Sequence, residues 1–121
     1  QSDYALNELA STYLEKLNSP ENALKYAQQA NKINANNYAV KYTFAETYFQ
    51  MGNYTKADAL YQEVAKKVAG NPSFYYKVAE SILKIENKNR ASIYFEKALS
   101  SGQDFPERTS AEKQLHSLLY K

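Results

Sequence analysis

The chain has 121 residues, which is enough for one domain and too few for two ordinary ones. It contains no Cys, one His and three Gly, which excludes disulfides and thiolate metal sites and leaves little material for a metal cluster or a phosphate-binding loop. The net charge of +2 is too small to indicate nucleic acid or an anionic membrane as a partner, and no apolar run approaches the roughly 18–20 residues that span a bilayer.

Helix-capping residues and the helical spacing of apolar residues predict seven α-helices along the chain. The segments Ser-Pro-Glu at 19–21 and Gly-Asn-Pro at 70–72 are typical of helix starts. The segment 55–58 resembles a capping box, and the segment 104–107 is expected to end one helix and start the last. In chain order, the predicted helices cover about 3–17, 20–34, 37–51, 55–69, 72–85, 88–101 and 105–120.

Residues of similar size recur with a period of 34 along the chain, which indicates an internal repeat. A small residue recurs at Ala23, Ala57 and Ala91, and small residues allow two helix backbones to approach closely. Each repeat is therefore predicted to be two antiparallel helices joined by a tight turn. The other recurring columns are Ala30, Val64 and Ala98; Ala27, Tyr61 and Phe95; Ser11, Ala45 and Ala79; Leu14, Tyr48 and Ile82; and Leu17, Met51 and Ile85.

The second repeat resembles the tetratricopeptide repeat, a family of helix-turn-helix units of the same period. The resemblance is carried by the run Phe-Ala-Glu-Thr-Tyr-Phe-Gln-Met-Gly-Asn-Tyr at 44–54, with Ala57 and Tyr61 after it. The third repeat matches nearly as well, whereas the first fits better if its first helix is shifted by one residue, with an extra residue near Asn18. The resemblance covers about residues 3–103 and implies an all-α fold, a right-handed α-solenoid of three units followed by a capping helix.

The last segment is predicted to cap the solenoid, because a terminal element needs one polar face toward water. Its apolar residues form one helical stripe, and the remaining positions are polar. We therefore interpret 1–121 as a single domain with units of about 3–36, 37–70 and 71–104 and a capping helix at 105–121. The stripe consists of Ala111, Leu115, Leu118 and Leu119.

The N-terminal end has no comparable cap and opens directly on Tyr4, Leu6 and Leu9. We therefore expect further repeats upstream, so that the chain would be the C-terminal part of a longer protein; the alternative is that a three-repeat domain starts here. The segments 5–10 and 102–108 also resemble the C-terminal repeats of bacterial tetratricopeptide proteins encoded with exopolysaccharide and protein-sorting (PEP-CTERM) systems. This second resemblance implies a parent protein in the bacterial periplasm or cell envelope.

The candidate site is the concave groove that such repeats form with the first helix of each unit. In the second unit, three residues share the side away from the expected packing face, and in the third unit the equivalent three are flanked by two lysines. The first unit would add Asn7, Ser11 and Leu14 if its helix is shifted, or Glu8, Thr12 and Glu15 if it is not. The predicted groove residues are Tyr42, Glu46, Phe49, Tyr76, Lys77, Glu80, Leu83 and Lys84.

These residues predict a protein-interaction scaffold that binds a peptide or a segment of a partner protein. Tyr supplies broad contact area, and rows formed by Tyr42 with Tyr76 and by Glu46 with Glu80 favour a partner that carries Lys or Arg. Chaperone-binding members of the family clamp a C-terminal carboxylate with Lys, Asn and Arg at these places. Because this chain has Tyr and Glu there, no such clamp is expected.

Other interpretations are weighed beside this one. Self-association, as a module of a larger envelope protein, is the main alternative function. An enzyme and a cofactor are not expected, because paired Glu residues without a metal, His or Cys nearby lack activating groups. The pentatricopeptide class that binds RNA has a period of 35, and the chain lacks the basic stripe that phosphate contact requires. Each groove Tyr can also be a half-buried packing residue with a solvated hydroxyl.

Overall fold

The computed structural model describes residues 2–67 and 70–120, which form seven α-helices and no β-strand. The chain divides into two compact units, Gln1–Val68 with the first four helices and Ala69–Lys121 with the last three. Within the described ranges, no helix is long and apolar enough to cross a membrane. The helices are α1 (Asp3–Glu15), α2 (Pro20–Ile33), α3 (Tyr38–Gln50), α4 (Tyr54–Lys67), α5 (Pro72–Lys84), α6 (Lys88–Ser100) and α7 (Arg108–Leu119).

The predicted all-α architecture and the order of its helices are confirmed. The largest difference is at the start of α7, which begins at Arg108 rather than at 105. Before it, the N–H of Arg108 donates to the carbonyl oxygen of Phe105 and closes a turn. Pro106 keeps Phe105 out of the helix, because a proline disfavours the helical conformation in the residue before it. The turn then occupies the residues up to Glu107, which directly precedes α7. The predicted end of α4 at 69 lies outside the described residues.

Side-chain caps fix where α1, α3 and α5 begin; with α7 we call these the first helices, and α2, α4 and α6 the second helices. The Ser2 side chain accepts a hydrogen bond from the N–H of Ala5, at 3.0 Å. Asn37 caps α3, and Asn71 caps α5 by accepting from the N–H of Phe74 at 2.8 Å. These bonds satisfy N–H groups that have no partner within the first helical turn.

A single Asn joins the first helix to the second in two of the repeats. The N–H of Asn53 donates to the carbonyl oxygen of Tyr48 at 2.9 Å, and its side-chain oxygen accepts from the N–H of Lys56 at 3.3 Å. Asn87 makes the equivalent pair of bonds. Each Asn thus closes one helix and caps the next. The predicted capping box at 55–58 is wrong, because this segment lies inside α4.

The turns also contain one residue with a left-handed backbone, again with the period of the repeat. Asn18, Gly52 and Glu86 have φ values of 48°, 80° and 63°. In the first repeat, residues 17 and 18 lie between Lys16, which ends α1, and Ser19, which precedes α2. In the second repeat Gly52 alone fills the equivalent place. The extra residue predicted near Asn18 is therefore confirmed.

The small and bulky columns of the repeat form the buried contacts between helices. Ala23, Ala57 and Ala91 have no exposed surface, and neither do Ala27, Tyr61 and Phe95. Backbones can approach closely where the side chain is a methyl group, and the bulky members fill the space beside them. The remaining residues without exposed surface in these columns are Ala30, Ala45, Ala79, Ile82 and Ala98, while Val64, Leu14 and Tyr48 retain less than a tenth of theirs.

Two columns differ from the predicted alignment. In α1, Ala10 is fully buried and Ser11 is half-buried, which is the arrangement expected if this helix is shifted by one residue. In the column that ends the first helices, Ile85 is half-buried, whereas Leu17 is 58% exposed and Met51 42% exposed. Both residues follow the last turn of their helix, where the chain turns toward the next helix.

The capping helix α7 packs against α6 with a narrower stripe than predicted. Ala111 is fully buried, and Leu115 and Leu118 are half-buried. Leu119, the fourth predicted member, is 52% exposed, so its assignment to the stripe is wrong. The contact of α7 with the repeat before it therefore depends on polar side chains as well as on apolar burial.

Candidate functional site

Two predicted groove residues of α3 contact the same buried tyrosine of α4. The ring of Tyr42 lies 6.0 Å from that of Tyr61, and the hydroxyl of Tyr61 donates to Oε2 of Glu46 at 3.4 Å. Tyr61 has no exposed surface, whereas Tyr42 and Glu46 are half-buried. The prediction that Tyr42 and Glu46 lie on the side away from the packing face is therefore corrected. They lie at the edge of the α3–α4 contact, because both side chains are long enough to reach the neighbouring helix.

The surroundings of Tyr61 keep its hydroxyl protonated. Burial, and after it the negative charge of Glu46, raises the pKa of Tyr61 well above its ordinary value. The hydroxyl is therefore a permanent donor at neutral pH, and it holds the Glu46 carboxylate at a fixed position beside α3.

The end and the middle of α3 carry two further contacts to α4. Phe49 packs edge-to-face on Tyr54 with 5.2 Å between the ring centroids, which places it at the α3–α4 turn. Lys41 is only 8% exposed, and its Nζ lies 3.4 Å from Oε1 of Glu63. Sequence reasoning missed Lys41, because the sequence gives no signal that the stem of a charged lysine is buried.

In the second compact unit, α5 and α7 lie side by side and are joined by polar side chains. Each contact links residues that are one period apart, so α7 occupies the place of a fourth first helix. The repeat register thus continues through the last segment in its polar contacts, although its apolar stripe departs from the register. The contacts are Ser73 with Glu107 (2.8 Å), Tyr76 with Ser110 (2.9 Å) and Glu80 with Gln114 (2.9 Å).

Tyr76 and Glu80 are anchored by these contacts. The Tyr76 hydroxyl shares a hydrogen bond with Oγ of Ser110, while its ring packs edge-to-face on Phe95 at 5.8 Å. Nε2 of Gln114 donates to Oε2 of Glu80. The Tyr76–Phe95 pair stands one period after the Tyr42–Tyr61 pair, so both groove tyrosines pack their rings on the second helix of their own unit. The rings of Tyr42 and Tyr76 therefore act as packing residues, which is the alternative that the sequence analysis gave for these tyrosines.

A similar contact joins α1 and α3 in the first compact unit. Nδ2 of Asn37 donates to Oδ2 of Asp3 at 2.9 Å, again across one period. This hydrogen bond is the largest cause of the lowered pKa of Asp3. Neighbouring first helices are therefore joined by the same kind of bond in each unit.

The other predicted groove residues differ in exposure. Lys77 and Leu83 are half-buried and Lys84 is exposed. In the first repeat Asn7 and Ser11 are half-buried, but Leu14 is 5% exposed and belongs to the core, so its predicted place in the groove is wrong. On the alternative alignment, Glu8, Thr12 and Glu15 are all exposed, and the Thr12 hydroxyl donates to the carbonyl oxygen of Glu8.

The stacked rows of the predicted groove take one residue from each compact unit. Tyr42 and Glu46 belong to the first unit, and Tyr76 and Glu80 to the second. The stacking of these rows stays a prediction, and the contacts above are those within each unit.

Sequence reasoning missed Ser110 and Gln114, the residues of α7 that hold Tyr76 and Glu80. A signal for them existed, because extending the period of 34 beyond the third unit pairs each of them with its partner.

Sequence reasoning also missed a shallow depression of about 260 Å³ in the second compact unit. We call it the α5–α7 depression; its lining is Leu83, Lys88, Lys113, Gln114, Ser117 and Leu118.

Metal-ligating side chains do not cluster in the described part of the chain. Over residues 2–67 and 70–120, no group of three or more His, Asp and Glu side chains could hold a metal ion.

Comparison with solved structures shows the fold to which the chain is similar. The first TPR of Spaghetti (RPAP3), bound to the HSP90 peptide SRMEEVD, superposes with a TM-score of 0.83 at 14% identity, over 98% of this chain and 94% of that one. The Yersinia enterocolitica type III secretion chaperone SycD, in complex with a YopD peptide, gives 0.81 at 21% identity, again over 98% and 94%. PcrH with the chaperone-binding region of PopD gives 0.79 at 19% identity, over 95% and 89%.

Comparison with curated proteins gave no significant match. A family model described as tetratricopeptide repeat matches residues 14–80, which is more than half of the chain. These residues include about two thirds of the first predicted repeat, the whole of the second and the first part of the third. The chain therefore belongs to the tetratricopeptide repeat family.

Proposed function

We propose that the chain is a protein-interaction scaffold that binds a segment of a partner protein along the faces of its first helices. The observation that carries this proposal is the set of polar contacts between α5 and α7. They align two first helices in one surface and fix the half-buried Tyr76 and Glu80 before a partner arrives. Side chains that are already ordered lose less conformational entropy on binding, so such a surface is suited to holding an extended or helical segment.

The comparisons support the proposal. The three structures similar in fold were each determined with a bound peptide or a chaperone-binding region of a partner. The chain covers about nine tenths of each of those structures, so the likeness extends over nearly the whole of them.

The charge of the partner was predicted from Glu46 and Glu80. Each carboxylate accepts a hydrogen bond inside its own unit, from Tyr61 and Gln114 respectively. The preference for a partner with Lys or Arg stays a prediction. The bacterial envelope location of the parent protein also stays a prediction.

The proposal is tested by selecting ligands for the whole chain from a random-peptide display library and mapping them by amide chemical shifts. Shifts are expected on the first helices. Tyr76→Ala is expected to weaken binding by about 1–3 kcal/mol, as at an interface hot spot. Tyr76→Phe, which keeps the ring on Phe95, is expected to cost less. Tyr120→Ala, at a residue 73% exposed after the end of α7, is the control.

Two outcomes would contradict the proposal. One is a set of shifts confined to the second helices. The other is unchanged affinity in a folded Tyr42→Ala, Tyr76→Ala double variant, which would remove the first-helix faces from the binding surface. Circular dichroism of each variant separates loss of binding from loss of fold.

Self-association is a second candidate function, favoured by the exposed aromatic residue Tyr4 on α1. This residue is 70% exposed, and an exposed aromatic side chain is a common anchor of protein contacts. Light scattering across a range of protein concentrations decides between the two functions. A constant monomer mass favours the scaffold, and a mass that rises with concentration and falls in Tyr4→Ala favours self-association.

A further inference from the structure

The lining of the α5–α7 depression is positively charged. Its side chains come from the C-terminal half of α5, the first residue of α6 and the C-terminal half of α7. Lys88 and Lys113 supply two positive charges, and no carboxylate is among the lining residues. Glu80, the nearest acidic groove residue along α5, already accepts a hydrogen bond from the side-chain amide of Gln114.

The two ammonium groups are available to a ligand. Lys88 and Lys113 are exposed, and neither has an ion-pair partner within 4.0 Å in the described part of the chain. The acidic neighbour of Lys113, Glu112, lies instead 4.0 Å from Arg108. Acidic groups of a ligand in the depression would therefore meet two positive charges without displacing an ion-pair partner of either.

The rest of the lining is apolar or neutral. Leu83 and Leu118 are half-buried and face the depression, and Ser117 adds a hydroxyl that can donate or accept. An apolar side chain of a ligand could cover the two leucines, while neighbouring acidic side chains reach the lysines. Apolar contact at the centre with charges at the rim is the usual anatomy of a specific protein contact.

We propose that the α5–α7 depression binds an acidic segment of a partner protein, in which one or two Asp or Glu residues flank an apolar side chain. This inference rests on the proposed function, since the depression lies on the first helices α5 and α7. It adds the chemistry of the partner at this end of the chain, and it differs from the basic partner expected from Glu46 and Glu80.

The test uses the whole chain and three capped peptides of equal length, with Leu at the same positions and Glu, Gln or Lys at all others. Titrations followed by amide chemical shifts give both the affinity and the place of binding. The Glu peptide is expected to shift the amides of Leu83, Lys88 and Ser117 and to bind roughly tenfold more tightly than the Lys peptide. This preference is expected to shrink as salt is raised, because the lysines are exposed.

Charge-reversal variants decide whether the depression itself is responsible. The double variant Lys88→Glu, Lys113→Glu is expected to lose the preference for the Glu peptide. The double variant Lys66→Glu, Lys67→Glu changes the net charge equally, at exposed residues of α4 outside the depression, and is expected to keep it. Equal losses in both variants would overturn the inference, since attraction by the overall charge would then explain the binding.

Two further results would overturn the inference. One is binding of the Gln or Lys peptide as tight as that of the Glu peptide, which leaves the proposed function standing if the shifts still lie on α5 and α7. The other is the absence of shifts with all three peptides. The display selection described above decides the proposed function separately.

Discussion

The hydroxyl of Tyr61 donates a hydrogen bond to Oε2 of Glu46 over 3.4 Å, from a ring that has no exposed surface. The bond connects the buried centre of the α3–α4 hairpin to a charged residue of the proposed binding face. A substitution in the core can therefore change the position of a surface carboxylate without touching any partner.

Tyr61→Phe is expected to destabilise the chain at neutral pH. The substitution keeps the ring that fills the core and removes the donor to Glu46, so the loss should be about 0.5–1.5 kcal/mol in the free energy of unfolding. Urea unfolding followed by circular dichroism measures it. Tyr120→Phe, at an exposed position, is the matched control; an equal loss in both variants would mean that the buried hydrogen bond contributes nothing.

The raised pKa of Tyr61 predicts a loss of stability in alkaline solution. The unfolded chain loses the proton near pH 10, whereas the folded chain keeps it to higher pH, so the contribution is complete below pH 10 and falls as the pH rises above it. This residue alone should lower the free energy of unfolding by up to about 1.4 kcal/mol per pH unit there. The decline should be smaller in Tyr61→Phe than in the unmodified chain, and identical slopes would contradict the prediction.

The residues with a left-handed backbone in the turns predict that two substitutions change the stability of the chain in opposite directions. Gly52→Ala should destabilise the chain by about 1–2 kcal/mol, because φ is 80° and an added Cβ makes this conformation costly although nothing lies within 4 Å of it. Glu86→Gly should stabilise it by up to about 1 kcal/mol, since φ is 63° at the equivalent place. Thermal unfolding of both variants checks the signs, and two shifts in the same direction would contradict the backbone explanation.

The contact of Glu80 with Gln114 is expected to couple α7 to α5. In a double-mutant cycle with Glu80→Ala and Gln114→Ala, the coupling energy should be about 0.5–1.5 kcal/mol, because both residues are half-buried. The Arg108–Glu112 pair, at 4.0 Å and largely exposed, serves as the comparison and should give no more than about 0.5 kcal/mol. Urea unfolding supplies all the energies. A coupling no larger than that of the exposed pair would show that Gln114 does not hold Glu80.

The alanine columns predict that the stability of the chain depends strongly on side-chain size at a column position and weakly at an exposed position nearby. Ala57→Leu should cost about 1–3 kcal/mol in the free energy of unfolding, because Ala57, on the helix α4 that packs on α3, has no exposed surface. Ala59→Leu, two residues along the same helix and exposed, should change stability by less than about 0.5 kcal/mol. Similar melting temperatures for the two variants would contradict the assignment of the column to the core.

Much of the fold could be predicted from the sequence because it depends on local and periodic signals. The period of 34 placed Ala23, Ala57 and Ala91 in the core, and Asn71 followed by Pro72 marked a helix start. The predictions that are wrong concern places where one residue decides the outcome. A turn closed by Arg108 and Phe105 delays the start of α7, and Leu17 has the size class of a core residue but follows the last turn of α1.

The candidate site could be predicted only in part, because side-chain reach and partnership do not follow from spacing. Tyr42 and Tyr76 were assigned to the first helices correctly, but spacing gave no sign that their rings pack on Tyr61 and Phe95. The α5–α7 depression could not be predicted, because the sequence analysis did not place α7 beside α5. Its lysines stand at unrelated places in the repeat, and only the packing of three helices brings them together.

The double role of Asn53 and Asn87 has a consequence for how the protein comes apart. Each side chain holds the start of one helix while its own backbone holds the end of the helix before it. Replacing such a residue would loosen two helix ends at once, so fraying at the hairpin tip spreads in both directions. Opening events seen by amide hydrogen exchange should therefore involve whole hairpins, with α3 and α4 exchanging together, as do α5 and α6.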